Sequence, residues 1–167
     1  MKFTKPLIAI STLLTLIVIL FVALGKTQHM TVVYESNTSL RPVEMSPGKF
    51  QCGECGMVIN DLSFAAQVVA PNGKTWFFDD NGCMAAWLSA RSFQESAIIW
   101  VNSLDTGGWI DGRRAFYSQT DNTPMSYGFG AYMGNTEIYI DFNTMQSYML
   151  RGETLANPDY GKQLLGD

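Results

Sequence analysis

The sequence predicts an α+β domain that follows an apolar N-terminal helix. Three features indicate this class: short strand-like runs separated by turn residues, one amphipathic helical stripe, and a long uncharged run at the N-terminus. The length of 167 residues is that of one domain once the ends are set aside. With 47% hydrophobic residues, such a domain can form a packed core without disulfide bonds.

The N-terminal segment, residues 1–26, predicts a membrane anchor or a signal helix. Lys2 and Lys5 precede an uncharged run of 20 residues from Pro6 to Gly25. At a rise of about 1.5 Å per residue this run is long enough to span a bilayer, and the lysines place its N-terminus in the cytoplasm. A cleaved signal peptide is the alternative. Both interpretations export the rest of the chain, so we expect the C-terminal domain on the periplasmic side of the cell membrane.

The remaining chain divides by composition into three parts. Residues 27–48 are polar and contain prolines, which predicts a tether, although "TVVYE" within them could form a short strand. Residues 49–152 form the predicted domain, and residues 153–167 a loose tail. Within the domain, strands are predicted over 64–70 and 75–80 with a hairpin turn at Asn72-Gly73. A helix over 79–92, capped by Asp79 or Asp80, and a strand over 97–103 complete a β-β-α-β order.

The second half of the domain also mixes strands with one helix. Strands are predicted at "RAFYSQ" and "EIYIDF", on either side of a glycine-rich stretch over 125–134. A helix over 143–152 is predicted to begin at Asn143 and to end at Gly152.

The charge of the chain argues against nucleic acid as a partner. From residue 27 onward there are 8 Lys and Arg against 15 Asp and Glu, a net charge of −7. An acidic surface repels phosphates but suits small cations or a basic protein surface.

Two of the three cysteines lie in "QCGECGMVIND", residues 51–61, and three kinds of chemistry are compatible with this CxxC. A thioredoxin-type dithiol needs a helix start, and the residues after Cys55 show no helical stripe. Structural zinc needs four ligands, and the only other cysteine is Cys83, so zinc is disfavoured. Buried thiols or a Cys52–Cys55 disulfide is the structural alternative.

Met57 adds a thioether sulfur to the two thiols of this segment. A thiolate and a thioether two residues apart suit a soft ion, and Cys with Met selects Cu(I). Met125, in a loop ahead of the glycine-rich stretch, is a further thioether candidate. Near the predicted helix start, Cys83 and Asp80 are possible additional metal or redox residues, as is Cys52.

Four motifs in this order resemble the NosL family of exported copper chaperones. They are "CGECGMVIND" (52–61), "FFDDNGCMAAWL" (77–88), "IDGRRAFY" (110–117) and "TPMSYGFGAY" (123–132), which together cover roughly residues 50–150. The resemblance implies two ββαβ-like units and a Cu(I) site made by Cys55, Met57 and Met125. It also implies delivery of copper, through a membrane copper-delivery complex, to nitrous oxide reductase.

The chain departs from this family in two respects. Family members are typically lipoproteins, whereas no cysteine follows the apolar run here at a lipoprotein cleavage position, and Cys83 has no role that the family supplies. The sequence therefore predicts an exported, membrane-tethered Cu(I) chaperone that is not an enzyme. A thiol–disulfide oxidoreductase that uses Cys52 and Cys55 is the alternative.

Overall fold

The computed structural model describes residues 4–26 and 30–166. The chain divides into two compact units, Met1–Met30 and Thr31–Asp167. The first unit contains helix α1, Thr4–Lys26. Among the described residues, no helix combines the length and the apolar character needed to cross a membrane.

The second unit is α+β, as predicted. Its main sheet contains five antiparallel strands: β1 (Val33–Tyr34), β2 (Ala66–Val69), β3 (Thr75–Phe78), β4 (Ile98–Asn102) and β5 (Trp109–Asp111). Their order across the sheet is β1-β3-β2-β4-β5. Strand β2 lies at the centre, where Val68 pairs with Trp76 on one side and with Ile99 on the other. The central strand is fully buried because both faces of the sheet are covered there.

The predicted β-β-α-β order is present in the first half of the domain. The β2–β3 turn contains Gly73 at φ +83°, which a glycine adopts without strain, as the Asn-Gly signal predicts. Helix α2, Asn81–Ser89, follows β3 directly and is capped by Asp80, whose carboxylate accepts a hydrogen bond from the Gly82 N–H at 2.8 Å. The chain then returns to the sheet as β4.

The second half does not repeat this arrangement, so the predicted second ββαβ unit is not formed. Strand β5 joins the main sheet instead, and only β6 (Phe116–Tyr117) and β7 (Ala131–Tyr132) form a separate two-stranded sheet. The run predicted as a strand at "EIYIDF" contributes one isolated bridge, Tyr117 with Ile140. Ile138 is 75% exposed, whereas Ile140 packs against the core cluster, so the run buries apolar side chains only towards its C-terminal end.

Helix α3, Phe142–Arg151, forms where a helix is predicted but starts earlier. Asp141 is its N-cap and accepts a hydrogen bond from the Thr144 N–H at 2.8 Å, so the predicted cap Asn143 lies inside the helix. Gly152 ends the helix in the left-handed conformation, as predicted. The helix packs beside α2, and its Gln146 amide donates to the Ala85 carbonyl at 3.3 Å.

Both segments predicted as loose contain ordered structure. Within 27–48, β1 adds an edge strand, and Val43 exchanges two hydrogen bonds with the buried Gln67 side chain at 2.8 and 2.9 Å. Within 153–167, helix α4 (Pro158–Leu165) begins after Asn157, with proline at its first position. The first segment is held by a side chain 24 residues away and the second begins at a local asparagine cap, and hydrophobic periodicity detects neither contact.

The larger of two hydrophobic clusters contains residues of the main sheet and of helices α2 and α3. Met84 and Leu88 of α2 and Ile99 of β4 are fully buried in it, as the helical stripe predicts. Trp87 packs against Trp76 and Phe78 at ring-centroid distances of 4.8 and 5.3 Å. This packing fixes helix α2 against strand β3.

Candidate metal centre

The CxxC motif lies in a tight loop and not at the start of a helix. Gln51 pairs with Val58 and the Ile59 N–H donates to the Phe50 carbonyl at 2.9 Å, so the loop is closed at its base. The Cys52 N–H donates to the Met57 carbonyl at 2.8 Å. Gly56, at φ +74°, allows the chain to reverse between these residues.

The sulfur-containing side chains of this loop differ in solvent exposure. Cys52 is 2% exposed and belongs to the hydrophobic core, whereas Met57 is 42% exposed. Cys55 lies between these extremes. Met57 follows Cys55 by two residues, so the two residues of the predicted Cu(I) pair lie on the same loop.

The junction of β3 and α2 forms the opposite side of the centre. The Gly53 N–H donates to the Phe77 carbonyl at 2.8 Å and ties the CxxC loop to the end of β3. Asp79 and Asp80 follow that strand, and Cys83 lies in the first turn of α2. Cys83 and both aspartates are buried.

Four side chains converge in this space: Cys52, Cys55, Asp79 and Cys83. One ligand atom from each lies within 4.8 Å of all the others. The Cys55 thiol donates to the Asp79 carboxylate, with its sulfur 3.5 Å from Oδ1 and 3.6 Å from Oδ2. All three cysteines are free thiols, so each sulfur is available as a ligand.

The three thiols differ in acidity because their surroundings differ. The neighbouring Cys83 thiol lowers the pKa of Cys52 to about 7. The Cys52–Cys83 interaction raises the pKa of Cys83, and burial adds to that effect. Burial raises the pKa of Cys55 to about 12. Cys52 is therefore the most acidic thiol of the group.

The loop that carries Met125 is held at the start of α2. The Met125 N–H donates to the second carboxylate oxygen of Asp80 at 3.0 Å. The Thr123 hydroxyl oxygen accepts from the Tyr127 N–H at 3.0 Å and the Gly128 N–H at 3.3 Å. Met125 is half-buried and packs against the core cluster that contains Cys52 and Cys83.

Tyr127 closes this side of the centre by packing on Gly82. A Cβ atom at Gly82 would lie 2.3 Å from the Tyr127 ring, so only glycine permits this contact. Burial raises the pKa of Tyr127.

Of the predicted site residues, the structure brings Cys52, Cys55 and Cys83 into one group. Asp80, the predicted additional ligand, instead accepts hydrogen bonds from the N–H groups of Gly82 and Met125. Asp79, predicted as an alternative cap, is the acid that reaches the thiols. A signal for this division exists in the sequence, because only one of two consecutive acids can cap a helix and the other is left for a different contact.

These features define the class of the molecule: an α+β protein with a buried, thiol-rich candidate metal centre. No protein-family model matches the chain, and no curated protein matches it significantly. The donor set itself is suited to thiophilic ions, since three sulfur atoms and one carboxylate can replace the hydration shell of a d10 cation.

Proposed function

We propose that the protein binds Cu(I) and delivers it for the maturation of a copper enzyme. The observation that carries the proposal is the position of Cys55, a partly exposed thiol between the exposed Met57 and two buried thiols. Thiolate and thioether sulfur are the protein ligands that Cu(I) prefers. A copper ion here is cargo: Cys55 supplies the thiolate, and Met57 and Met125 supply thioethers.

The exposure of these donors suits transfer. An acceptor ligand can approach Cys55 and Met57 from solvent and replace one sulfur at a time, since neither side chain is fully enclosed. Delivery by ligand exchange needs no catalysed reaction, and we propose a binding protein in place of an enzyme. By the motif resemblance, the acceptor is a membrane copper-delivery complex that serves nitrous oxide reductase.

A Cu(I) competition titration with a chromophoric chelator tests this function on the reduced, metal-free protein. We expect wild type to bind one Cu(I), Cys55→Ser to bind it at least about tenfold more weakly, and Met57→Leu and Met125→Leu to show intermediate losses. Met133→Leu is the matched control, because Met133 is an exposed methionine outside the CxxC and Met125 loops, with its N–H bound to the Asp105 carboxylate at 3.1 Å. If Met57→Leu and Met125→Leu both bind Cu(I) as wild type does, the thioether site is wrong.

A thiol–disulfide oxidoreductase is the competing function, and the low pKa of Cys52 favours it. Burial of this thiol opposes it, because a nucleophilic sulfur must reach a substrate disulfide. The two functions differ in an insulin-reduction assay. An oxidoreductase loses activity in Cys52→Ser and is indifferent to Met57→Leu, whereas a copper carrier has no such activity to lose.

A further inference from the structure

We propose that Cys52, Cys55, Cys83 and Asp79 form a closed four-ligand site for zinc(II), which shares only Cys55 with the Cu(I) ligands. The inference deepens the proposed function, since a shared cysteine makes the two metals compete. It does not require that copper be the cargo, because it stands on a different set of donors.

The number and type of donors match a tetrahedral zinc site. Structural zinc takes four ligands, mostly thiolates, and also accepts carboxylate oxygen. With zinc–sulfur bonds of about 2.3 Å, sulfur atoms in a tetrahedral site lie about 3.8 Å apart. The four ligand atoms already lie within 4.8 Å of one another, so closing around an ion requires shifts of an ångström or less.

Asp79 is the residue that distinguishes zinc(II) from Cu(I). A carboxylate is a hard oxygen donor, which zinc accepts and which the sulfur-selective Cu(I) does not favour. The sulfur atoms of Met57 and Met125 have the opposite preference. Two overlapping donor sets of different hardness therefore surround Cys55.

The charge of the buried group also favours a divalent ion. Asp79 is 3% exposed, and its carboxylate accepts a hydrogen bond from the Cys55 thiol. In the part of the chain that the structure describes, the ion pairs are Lys74–Glu35 and Arg151–Glu153, and neither involves this carboxylate. A buried carboxylate without a cation is costly, and a bound metal ion would supply the missing positive charge. A divalent ion neutralises three thiolates and a carboxylate better than a monovalent one and leaves the same net charge as a four-thiolate zinc site.

The site is also enclosed and rigidly supported. Cys52 and Cys83 are 2% and 1% exposed, and only Cys55 faces solvent in part. Cys83 and Asp79 lie on the packed β3–α2 junction, and the Gly53–Phe77 hydrogen bond fixes the loop of Cys52 against it. Enclosure by four ligands is typical of structural zinc sites, whereas catalytic zinc sites keep an open position. Zinc is disfavoured on the CxxC motif alone, but the fold supplies the two ligands that this motif lacks.

The test uses the reduced, metal-free full chain titrated with Zn(II) against a chromophoric chelator, and with Cd(II) as a spectroscopic probe of thiolate ligation. We expect one equivalent of either ion and a thiolate-to-cadmium charge-transfer band. Asp79→Asn and Cys83→Ser should weaken Zn(II) binding at least about tenfold. Glu54→Gln is the matched control, since Glu54 is an exposed acid in the CxxC loop that lies outside the group, and should bind Zn(II) as wild type does.

Cu(I) titrations on the same variants separate this inference from the proposed function. We expect Met57→Leu to weaken Cu(I) binding with no change for Zn(II), and Asp79→Asn to show the reverse. Wild type that takes up no Zn(II), or Asp79→Asn that binds it as wild type does, overturns the zinc site and leaves the copper result standing. Asp79→Asn preserves the shape of the side chain, so its Zn(II) affinity can be measured even if Cys83→Ser fails to fold.

Discussion

The Cys55 sulfur lies 3.5 Å from a carboxylate oxygen of Asp79, although 24 residues separate the two along the chain. The next residue, Asp80, turns its carboxylate to the backbone of α2 and of the Met125 loop. Two adjacent acids therefore have separate tasks: Asp79 faces the thiols, and Asp80 holds together the elements around them.

Asp79→Asn should stabilise the metal-free protein. The substitution removes a buried negative charge that has no cation beside it among the described residues, so the free energy of unfolding should rise by about 1 kcal/mol. Urea denaturation of the reduced protein in a chelator measures this. Glu54→Gln, at an exposed position, should have no effect; a loss of stability in Asp79→Asn would show that the carboxylate is already well compensated without metal.

Asp80→Ala should destabilise the fold and loosen the Met125 loop together. The buried carboxylate accepts hydrogen bonds from two backbone N–H groups, so its loss should cost about 2 kcal/mol or more. Urea denaturation gives the cost, and limited proteolysis should show faster cleavage near Met125. Asp80→Asn keeps the capping oxygen and should recover part of the stability; equal stability of Asp80→Ala and wild type would contradict this role.

Gly82→Ala should destabilise the protein, although alanine normally favours a helix by about 1 kcal/mol over glycine. The added Cβ would lie 2.3 Å from the Tyr127 ring and displace it from the helix start. Thermal denaturation should show a lower midpoint. Gly108→Ala is the control, since a Cβ there meets no atom within 4 Å. In the double variant with Tyr127→Ala the clash disappears, so strictly additive losses would argue against it.

The contribution of Asp141 to stability should depend on pH. The Thr144 N–H lowers the pKa of this N-cap carboxyl below its ordinary value of 3.8, so its stabilising effect is present above that pH and is lost as the pH falls through the lower folded value. Asp141→Ala should cost about 1 kcal/mol at neutral pH. Urea denaturation of both proteins from pH 7 to pH 3 should show the difference shrinking at the acid end; a constant difference would contradict the linkage.

Export and membrane attachment stay predictions that rest on the N-terminal sequence. We expect the full chain, expressed in a bacterium, to sediment with membranes and to remain there after a high-pH carbonate wash. A version lacking residues 1–26 should stay in the soluble fraction. Recovery of the intact full chain in the soluble periplasmic fraction would contradict the anchor, and a shortened mature form would indicate the cleaved signal peptide.

Some of the fold follows from local patterns. The Asn72-Gly73 hairpin, the α2 helix with its aspartate cap and the glycine end of α3 were all predictable, because turns and caps depend on backbone preferences of a few adjacent residues. The second ββαβ unit, which the family resemblance implies, does not form. Whether a short run such as "EIYIDF" becomes a strand depends on an available sheet edge and an apolar face to bury, which lie elsewhere in the chain.

The candidate site was likewise predictable from the sequence only in part. The amino-acid sequence alone shows that Cys52, Cys55 and Met57 lie within six residues that include two glycines, and that soft donors are concentrated there. The tertiary structure was needed to show that Cys83 and Asp79 join the two loop cysteines, because the β3–α2 junction packs against the CxxC loop through contacts between residues distant in sequence. Ligand spacing within one loop is a local property, but the completeness of a metal site is set by long-range packing.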